Sequence, residues 1–335
     1  MQQLPHTDKF IETVDKLLIK FFEKAIHDTV SLGTSYKRLW EVLYNVFKSG
    51  GKKLRPRVVL LSYSAFGGKD LNKIVPVAAA QEILHFSLLI HDDIIDRGFM
   101  RHGSLNVSGN YKNIYSKFIK SNKEQVHFAN SAALLAGDLM ISSSYQLINE
   151  SDLGTEDKSI ALNMLSKSIF EVAGGELMDV ESGFIPYKNG DALKVARYKT
   201  AGYSFVNPLV LGSKLAGANK KQLALLEDLG IILGIAYQLV DDLIGVFGDE
   251  KSTGKSSVSD IYEGKRTFLV EQALDCMDSE DKNRFNYIFG NPTASNQDIE
   301  DIRTLFISTG AKSKTEKMII EYASAHNDRG SYNCN

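Results

Sequence analysis

Cysteine is scarce in this chain of 335 residues, and charge of either sign is not in excess. The two cysteines, Cys276 and Cys334, lie far apart without CxxC spacing, so neither a disulfide framework nor a zinc site is indicated. The net charge of -2 comes from 39 basic and 41 acidic residues, which gives no bias toward nucleic acid or an anionic membrane. Any anion-binding site must therefore be local.

Targeting and membrane signals are also lacking. The first residues, MQQLPHTDKF, do not show the basic segment followed by an apolar core that marks a signal peptide. Polar residues interrupt the longest apolar runs before they reach the about 20 residues that span a bilayer. We therefore expect a cytoplasmic protein without stable membrane insertion.

Proline is the third scarce residue, with six copies in the chain. Two long stretches, between Pro76 and Pro186 and between Pro208 and Pro292, contain none, and helices require that absence. Apolar residues recur at spacings of three and four, while sustained alternation is hard to find. No low-complexity linker divides the chain. The sequence predicts an all-α fold in one domain, residues 1–335, of roughly ten helices.

The most informative stretch that is present is an apolar helical run ending in the motif HDDIID. It contains Asp92, Asp93 and Asp96, and a helix places Asp92 and Asp96 on one face because they are four residues apart. Carboxylates this close repel each other unless a cation lies between them, and oxygen ligands favour Mg²⁺ over zinc. A solvated acidic helix end is the alternative interpretation of this motif alone.

A second copy of the acidic pattern strengthens the metal interpretation. The run GIAYQLVDD ends in Asp241 and Asp242, and Asp241 follows Asp92 by 149 residues. The later Gly254-Lys255-Ser256 triplet is not a nucleotide-binding P-loop, because Asp249 stands where that pattern requires glycine and no strand precedes it. The sequence thus predicts two similar acidic helix ends.

Basic and polar residues accompany these motifs. In GGKKLRP, Pro56 suits the first turn of a helix, so Lys52 and Arg55 would lie near a helix N-terminus as a diphosphate clamp. An ordinary basic loop is the alternative. His85 lies on the same helical face as Asp92, about 10 Å along the axis.

Two weaker patterns lie between the acidic motifs. Glu176 and Asp179 are three residues apart on one helical face, and Lys199 and Thr200 precede an apolar segment. By themselves these patterns identify no chemistry.

Taken together, the ordered motifs GGKKLRP, HDDIID with a trailing RHG, YKTA, YQLVDD, TGK and EGKRT resemble those of the trans-isoprenyl diphosphate synthases. The resemblance covers residues 50–267. It implies an all-helical domain around a deep apolar cavity, with the two acidic motifs facing each other across its mouth. It also implies head-to-tail condensation of isopentenyl diphosphate with an allylic diphosphate, release of diphosphate, and a homodimer.

The resemblance also implies a role for each matching residue. The implied catalytic residues are Asp92, Asp93, Asp96, Lys199, Asp241 and Asp242. Three Mg²⁺ ions are expected, bound by Asp92, Asp96 and Asp241. Isopentenyl diphosphate would be bound by Lys52, Arg55, His85 and His102. The allylic diphosphate would be bound by Arg101, Lys199, Thr200, Gln238, Lys255 and Lys265. Product chain length would depend on Phe86, Ser87 and Leu88.

Two departures from the family pattern stand out. His102 occupies the place of a second arginine, and a neutral imidazole binds phosphate less firmly near neutral pH. Gly245 replaces the last aspartate of the second motif, and we expect Asp242 and Asp249 to compensate through water. Neither departure predicts loss of activity.

Product length and activity leave alternatives open. Ser87 is small where short-chain members of the family often carry an aromatic ring, which favours a geranylgeranyl or longer product over farnesyl. A terpene cyclase needs no isopentenyl site, so GGKKLRP and His85 disfavour it. A noncatalytic subunit of a hetero-oligomeric synthase keeps the fold and is the remaining alternative.

Overall fold

Helices account for nearly every element of the structure, which confirms the all-α prediction. A computed structural model describes residues 7–101, 103–185, 190–248 and 258–329. The helices of its first part are α1 (Thr7–Asp28), a 3-10 turn (Thr29–Leu32), α2 (Thr34–Lys48), α3 (Leu54–Ala65), α4 (Leu71–Ile95), α5 (Val107–Tyr115), α6 (Asn122–Asn149) and α7 (Thr155–Ser182). The strands β1 (Met100–Arg101) and β2 (Ser104–Leu105) pair antiparallel between α4 and α5, with Arg101 opposite Ser104.

The remaining helices are shorter, with two long exceptions. They are α8 (Asp191–Val195), a π-helical segment (Ala196–Val206), α9 (Asn207–Leu215), α10 (Lys220–Phe247), α11 (Ser259–Glu263), α12 (Phe268–Leu274), α13 (Ser279–Ile288), α14 (Asn296–Ser308) and α15 (Ala311–Arg329). The chain divides into two compact units. One comprises Met1–Ser166 and Pro208–Leu223, and the other Lys167–Asn207 and Ala224–Asn335.

An aromatic cluster joins α1, α2 and α4 in the first unit. The ring of Phe22, which is fully buried, lies 5.1 Å from that of Phe47 and 6.3 Å from that of Trp40, measured between centroids. Phe86 of α4 extends the cluster, with its ring 5.5 Å from that of Phe47 in an edge-to-face arrangement. Such aromatic pairs are favourable beyond the area they bury. The cluster therefore fixes one side of the helix that carries the first acidic motif.

The second unit has an apolar core built from its C-terminal helices. Phe285 of α13 and Phe306 of α14 are fully buried, with ring centroids 6.0 Å apart. Helix α14 begins with a capping box, in which Ser295 and Asp298 each accept a hydrogen bond from the other residue's backbone N–H. Capping satisfies amides that would otherwise lack partners at the helix start. These helices support the end of α10, whose Val246 belongs to the same core.

Two helices also meet the length and composition of a membrane span. Both α4 and α10 hold an 18-residue stretch of high hydropathy with at most two charged side chains. This differs from the expectation that polar residues keep the apolar runs too short, because one or two charges do not lower the average enough. In α4 72% of that stretch is buried within the protein, as in the core helix of a soluble protein, and in α10 22% is buried.

A close helix contact in the second unit depends on Gly175. A Cβ atom on this residue of α7 would lie 2.3 Å from the backbone nitrogen of Lys199 and 2.6 Å from the carbonyl carbon of Tyr198, in the π-helical segment. Both neighbours are backbone atoms, so neither can move without shifting the segment. The adjacent Gly174 faces open space, with nothing within 4 Å of the corresponding position.

We predict that Gly175→Ala and Gly174→Ala change stability in opposite directions. The first substitution forces two backbones apart and should lower the free energy of unfolding by about 1–3 kcal/mol. The second improves helix propensity without a clash and should raise it by up to about 1 kcal/mol. Urea unfolding followed by circular dichroism measures both values. Equal changes in the free energy of unfolding for the two variants would show that the contact at Gly175 is not tight.

Candidate active site

The first acidic site forms where α4 ends. Ile95 is the last helical residue, and the Asp96 N–H still donates to the Asp92 carbonyl over 2.8 Å. The chain then turns through Arg97, which has a left-handed φ of 57°. The Gly98 N–H closes the turn by donating to the carbonyl of Asp93 over 2.8 Å. The motif therefore presents its carboxylates at a helix terminus.

Arg101 forms a fork on two of the three aspartates. Its Nη2 donates to Asp92 Oδ2 and its Nε to Asp93 Oδ1, each over 2.8 Å. The hairpin of β1 and β2 returns the chain toward α4 and places Arg101 there. Burial alone would lower the pKa of Arg101, but Asp93 and Asp92 raise it above its ordinary value. The structure thus brings together the predicted metal ligand Asp92 and the predicted diphosphate ligand Arg101.

Asp93 is the most buried carboxylate of this motif, with 7% of its surface exposed. Burial raises the pKa of Asp93 to about 6, against the opposing effect of Arg101, and neighbouring Asp92 raises it further. Asn106 lies beside it and fixes the turn, because its Nδ2 donates to the Gly98 carbonyl over 2.9 Å. Burial thus favours the protonated form of Asp93 more than it would for an exposed aspartate.

The predicted isopentenyl diphosphate residues belong to the same unit. Lys52 is exposed in the loop before α3, Arg55 lies in the first turn of α3, and His85 is half-buried on α4. His102 lies outside the described residues. These placements agree with an accessible basic loop, and the role of each side chain stays a prediction.

Sequence reasoning missed the lysine that anchors this loop, which is Lys53. Its Nζ lies 3.4 Å from Glu82 Oε1 and 3.8 Å from the centroid of the Phe47 ring. Its φ of 49° turns the backbone into the left-handed region, which side chains other than glycine seldom adopt. Two adjacent lysines offered no signal for choosing between them, because the choice depends on Glu82 and Phe47, which lie on other helices.

The three predicted chain-length residues face different ways on α4. Phe86 packs into the aromatic cluster with Phe22 and Phe47. Ser87 is completely buried, and Leu88 is half-buried. Only Leu88 shares the helix face of Asp92, since it lies four residues before that aspartate.

The second acidic site is built around Asp242, which has 5% of its surface exposed. Gln238 Nε2 donates to Asp242 Oδ1 over 2.8 Å, and Thr200 Oγ1 donates to Gln238 Oε1 over 2.5 Å. Burial raises the pKa of Asp242 well above its ordinary range, the Gln238 bond lowers it, and Asp260 and Asp241 raise it again. The structure thus connects Thr200, Gln238 and Asp242, all predicted from sequence.

Lys199 lies between two carboxylates of α7. Its Nζ is 2.9 Å from Glu176 Oε2 and 2.5 Å from Asp179 Oδ2. The three-residue spacing of Glu176 and Asp179 was visible in the sequence, but their common partner was not, because it lies twenty positions downstream. Lys199 is therefore held at a defined position by two charge-assisted hydrogen bonds.

Asp260 occupies the space over Gly245, the departure in the second motif. A Cβ on Gly245 would lie 2.2 Å from Asp260 Oδ2, so the Asp260 carboxylate stands where a side chain at position 245 would begin. Sequence reasoning assigned compensation to Asp242 and Asp249 and missed Asp260, because Asp260 lies fifteen positions after Gly245, on another helix. Asp249 and Lys255 lie outside the described residues.

Lys265 follows α11 and completes the set of predicted diphosphate ligands that the structure describes. Its Nζ lies 2.9 Å from Glu263 Oε2, and both side chains are about one-third exposed. An exposed pair of this kind contributes little to stability, so the lysine can exchange partners at small cost.

The donor set fits magnesium better than a transition metal. Within the described ranges, no three His, Cys, Asp or Glu side chains converge into a complete metal cage. Magnesium is commonly held by one or two carboxylates together with substrate phosphates and water, without an all-protein cage. Asp92 and Asp96 lie at the end of α4 and offer oxygens of this kind. The prediction of a second acidic helix end is wrong, because α10 continues to Phe247, six residues beyond Asp241.

Comparison with known proteins places this chain among relatives of one kind. The family model for Polyprenyl synthetase matches residues 36–306. The geranylgeranyl diphosphate synthase of Sulfolobus acidocaldarius is 32% identical over 287 residues, which cover 83% of this chain and 81% of that protein. The heptaprenyl diphosphate synthase component 2 of Bacillus subtilis is 30% identical over 76% of this chain and 66% of that protein.

A solved structure gives the same result. The geranylgeranyl pyrophosphate synthase from Corynebacterium glutamicum, in complex with isoprenyl diphosphate and magnesium, superposes with a TM-score of 0.89. The two sequences are 31% identical, and the match covers 96% of this chain and 93% of the other. Fold and sequence therefore agree on the relationship.

The pKa of Asp93 generates a prediction for metal-free protein. Its folded value of about 6 exceeds the ordinary 3.8, so the folded state binds the proton more tightly. The resulting stabilisation is fully present below pH 4 and is lost as pH rises through 6, by up to roughly 3 kcal/mol. Asp93→Asn should remove this contribution and make stability fall less between pH 4 and pH 7 than in the wild type, while the contribution of Asp242 remains, measured by urea unfolding in EDTA. The same flattening in Asp152→Asn, an exposed loop variant, would contradict the assignment.

Proposed function

The chain belongs to the polyprenyl synthetase family, and we propose that it condenses isopentenyl diphosphate with an allylic diphosphate head to tail. The allylic substrate is dimethylallyl, geranyl or farnesyl diphosphate, and inorganic diphosphate is released. The observation that carries the proposal is that each unit holds a cation suited to diphosphate against carboxylates, those of the first acidic motif in one unit and those of α7 in the other. Arg101 contacts Asp92 and Asp93, and Lys199 contacts Asp179.

The proposed metal ligands are Asp92, Asp96 and Asp241, with three Mg²⁺ ions in each site. Bound magnesium supplies Lewis-acid stabilisation of the negative charge on the departing diphosphate. In the proposal Arg101, Lys199, Lys255 and Lys265 neutralise the same charge, and the uncharged side chains of Thr200 and Gln238 contribute hydrogen bonds. Stabilisation of developing charge commonly accounts for more of an enzyme's rate enhancement than any other effect.

Bond changes follow from that charge stabilisation. The carbon–oxygen bond of the allylic diphosphate breaks with its electron pair on oxygen, which leaves an allylic cation. The double bond of isopentenyl diphosphate, held by Lys52, Arg55, His85 and His102, attacks the cation and forms the new carbon–carbon bond. Loss of a proton to the released diphosphate restores an alkene. Apolar side chains such as Leu88 keep water from the cation.

The proposed product is geranylgeranyl diphosphate or a longer chain, supported by the small Ser87 on α4. The named relatives include a geranylgeranyl and a heptaprenyl diphosphate synthase, so similarity alone leaves the length open. Farnesyl diphosphate is the shorter alternative. A homodimer is expected from the resemblance, and the cytoplasmic location is proposed from the lack of a signal peptide pattern.

A noncatalytic subunit is the second candidate function. One relative is named as component 2 of a heptaprenyl diphosphate synthase, which is the observation that favours an assembly with another chain. Both aspartate pairs and the described lysines of the motifs are present here, and they favour catalysis by this chain itself.

The test is incubation of the purified chain with labelled isopentenyl diphosphate, Mg²⁺ and each allylic primer. We expect elongation by the chain alone, abolished by EDTA and lowered roughly a hundredfold or more by Asp241→Asn. Asp152→Asn, an exposed loop variant, should retain full activity. Absence of elongation with every primer would refute the catalytic proposal and favour the subunit.

Asp260 is proposed to replace the carboxylate that Gly245 lacks. Its Oδ2 lies at the start of the path a side chain at position 245 would take, and it raises the pKa of Asp242. Both contacts support a shared carboxylate site with Asp242.

We predict that Asp260→Ala lowers the elongation rate at least roughly tenfold and raises the Mg²⁺ concentration for half-maximal rate. The double variant Gly245→Asp with Asp260→Ala supplies the carboxylate from position 245 instead, and it should recover part of the activity. The alanine also makes room for the new side chain. A double variant as inactive as the single one would contradict the replacement.

A further inference from the structure

Positive charge is concentrated in one stretch of this chain, although the net charge of the whole is close to zero. Between Asp96 and Glu124 no acidic residue occurs, whereas the basic residues there are Arg97, Arg101, Lys112, Lys117, Lys120 and Lys123. Arg101 pairs with Asp92 and Asp93. Among the described residues the other basic side chains of the stretch form no ion pair. The stretch therefore carries positive charge that remains available to a partner.

The loop between α5 and α6 exposes an aromatic ring among these lysines. Phe118 is 67% exposed, and Lys117, Lys120 and Lys123 on either side of it are exposed as well. Lys117 Nζ lies 5.0 Å from the centroid of the Phe118 ring. One exposed apolar side chain is ordinary in a folded protein, but an exposed ring flanked by lysines is typical of segments that lie on membranes.

Hydrogen bonds and ring contacts hold the Phe118 loop in place. The Phe118 N–H donates to the Tyr115 carbonyl over 2.9 Å, and Gln125 Nε2 donates to the Ile119 carbonyl over 2.6 Å. The Phe118 ring lies 6.1 Å from the Tyr115 ring, and Arg38 Nη1 donates to the Tyr115 hydroxyl over 3.1 Å. The exposure of Phe118 is therefore a fixed property of the folded chain.

An anionic bilayer fits this combination of side chains. Its headgroups offer negative charge to the lysines, and its acyl region lies directly beneath and accepts an apolar ring. Lysine stems are long enough to keep the charge among the headgroups while the ring enters deeper. A duplex nucleic acid offers the charge without an accessible apolar layer. A second copy of this chain, packed symmetrically, would bring the same positive charges together.

We propose that Lys117, Phe118, Lys120 and Lys123 form a docking surface for bilayers that contain anionic lipids. One ring and a few lysines provide reversible attachment, since firm anchoring requires stronger signals. This inference goes beyond the proposed function, and the binding itself does not depend on it.

Helix α5 connects the docking surface to the first acidic site. It follows the hairpin that carries Arg101, and its nine residues span about 14 Å. Lys112 of α5 lies with its Nζ 4.4 Å from the centroid of the Phe99 ring, which joins the helix to the start of that hairpin. If the chain makes prenyl diphosphates as proposed, docking releases these amphiphiles beside the apolar phase that accepts their chains.

The experiment measures binding of the full chain to vesicles by sedimentation. The vesicles are phosphatidylcholine alone, or phosphatidylcholine mixed in equal amounts with phosphatidylglycerol. We expect at least roughly tenfold stronger binding to the mixed vesicles at low salt, and weaker binding as salt is raised.

Two variants separate the charge from the ring. The triple variant Lys117→Gln, Lys120→Gln and Lys123→Gln should weaken binding at least roughly tenfold, because each lysine near an anionic surface contributes about fivefold. Phe118→Ser should weaken it roughly fivefold by removing the inserted ring. Both variants change exposed side chains, so circular dichroism should show the wild-type fold.

Matched controls make the same chemical changes elsewhere. The triple variant Lys16→Gln, Lys20→Gln and Lys24→Gln removes equal charge from α1, where acidic residues are interspersed among the lysines. Phe170→Ser removes a ring that is 83% exposed and is followed by the acidic Glu171. Both controls should bind mixed vesicles as strongly as the wild type.

Several outcomes would overturn the inference. Wild-type protein that does not bind mixed vesicles removes it, as does equal weakening by the α1 variant, which would show an effect of net charge alone. If Phe118→Ser dissociates a dimer in sedimentation velocity and leaves vesicle binding unchanged, a second copy covers the ring. Elongation assays report separately on the proposed function, so either idea can fail while the other stands.

Discussion

Both acidic sites depend on carboxyl groups that are buried away from water. Asp93 and Asp242 are almost fully enclosed, and each has a raised pKa because burial disfavours its charged form. The protein offsets that cost differently in its two units, with the cation of Arg101 in one and the neutral amide of Gln238 in the other. The first arrangement opposes the buried negative charge with a positive one, and the second offers the buried carboxyl group a hydrogen-bond donor.

Features governed by local spacing could be predicted from the sequence. The absence of proline over long stretches and the spacing of apolar residues indicated helices, and the structure is helical. The apolar run before Asp92 and Asp96 predicted that both lie at one helix end, where they are found. Thr200 and Gln238 were assigned by resemblance to one substrate group, and they form a hydrogen bond in the structure.

Features that depend on packing between distant segments could not be predicted. Asp260 covers Gly245 because α11 folds back onto α10, and no local pattern encodes that return. Lys199 meets both Glu176 and Asp179 because Gly175 lets two helices approach closely. In each case the sequence shows the residue types, and only the three-dimensional path shows which of them meet.

The left-handed backbone of Lys53 gives the adjacent residues Lys52 and Lys53 different surroundings. Lys53 turns inward to Glu82 and Phe47, which leaves Lys52 directed to solvent. Lys53 therefore anchors the loop to the helices, and the charge of Lys52 stays accessible to a ligand. Exchange of either lysine for a neutral residue has the same effect on composition and net charge. The two exchanges nevertheless differ in their effect. Replacing Lys53 loosens the loop, whereas replacing Lys52 alters only the charge that the loop exposes.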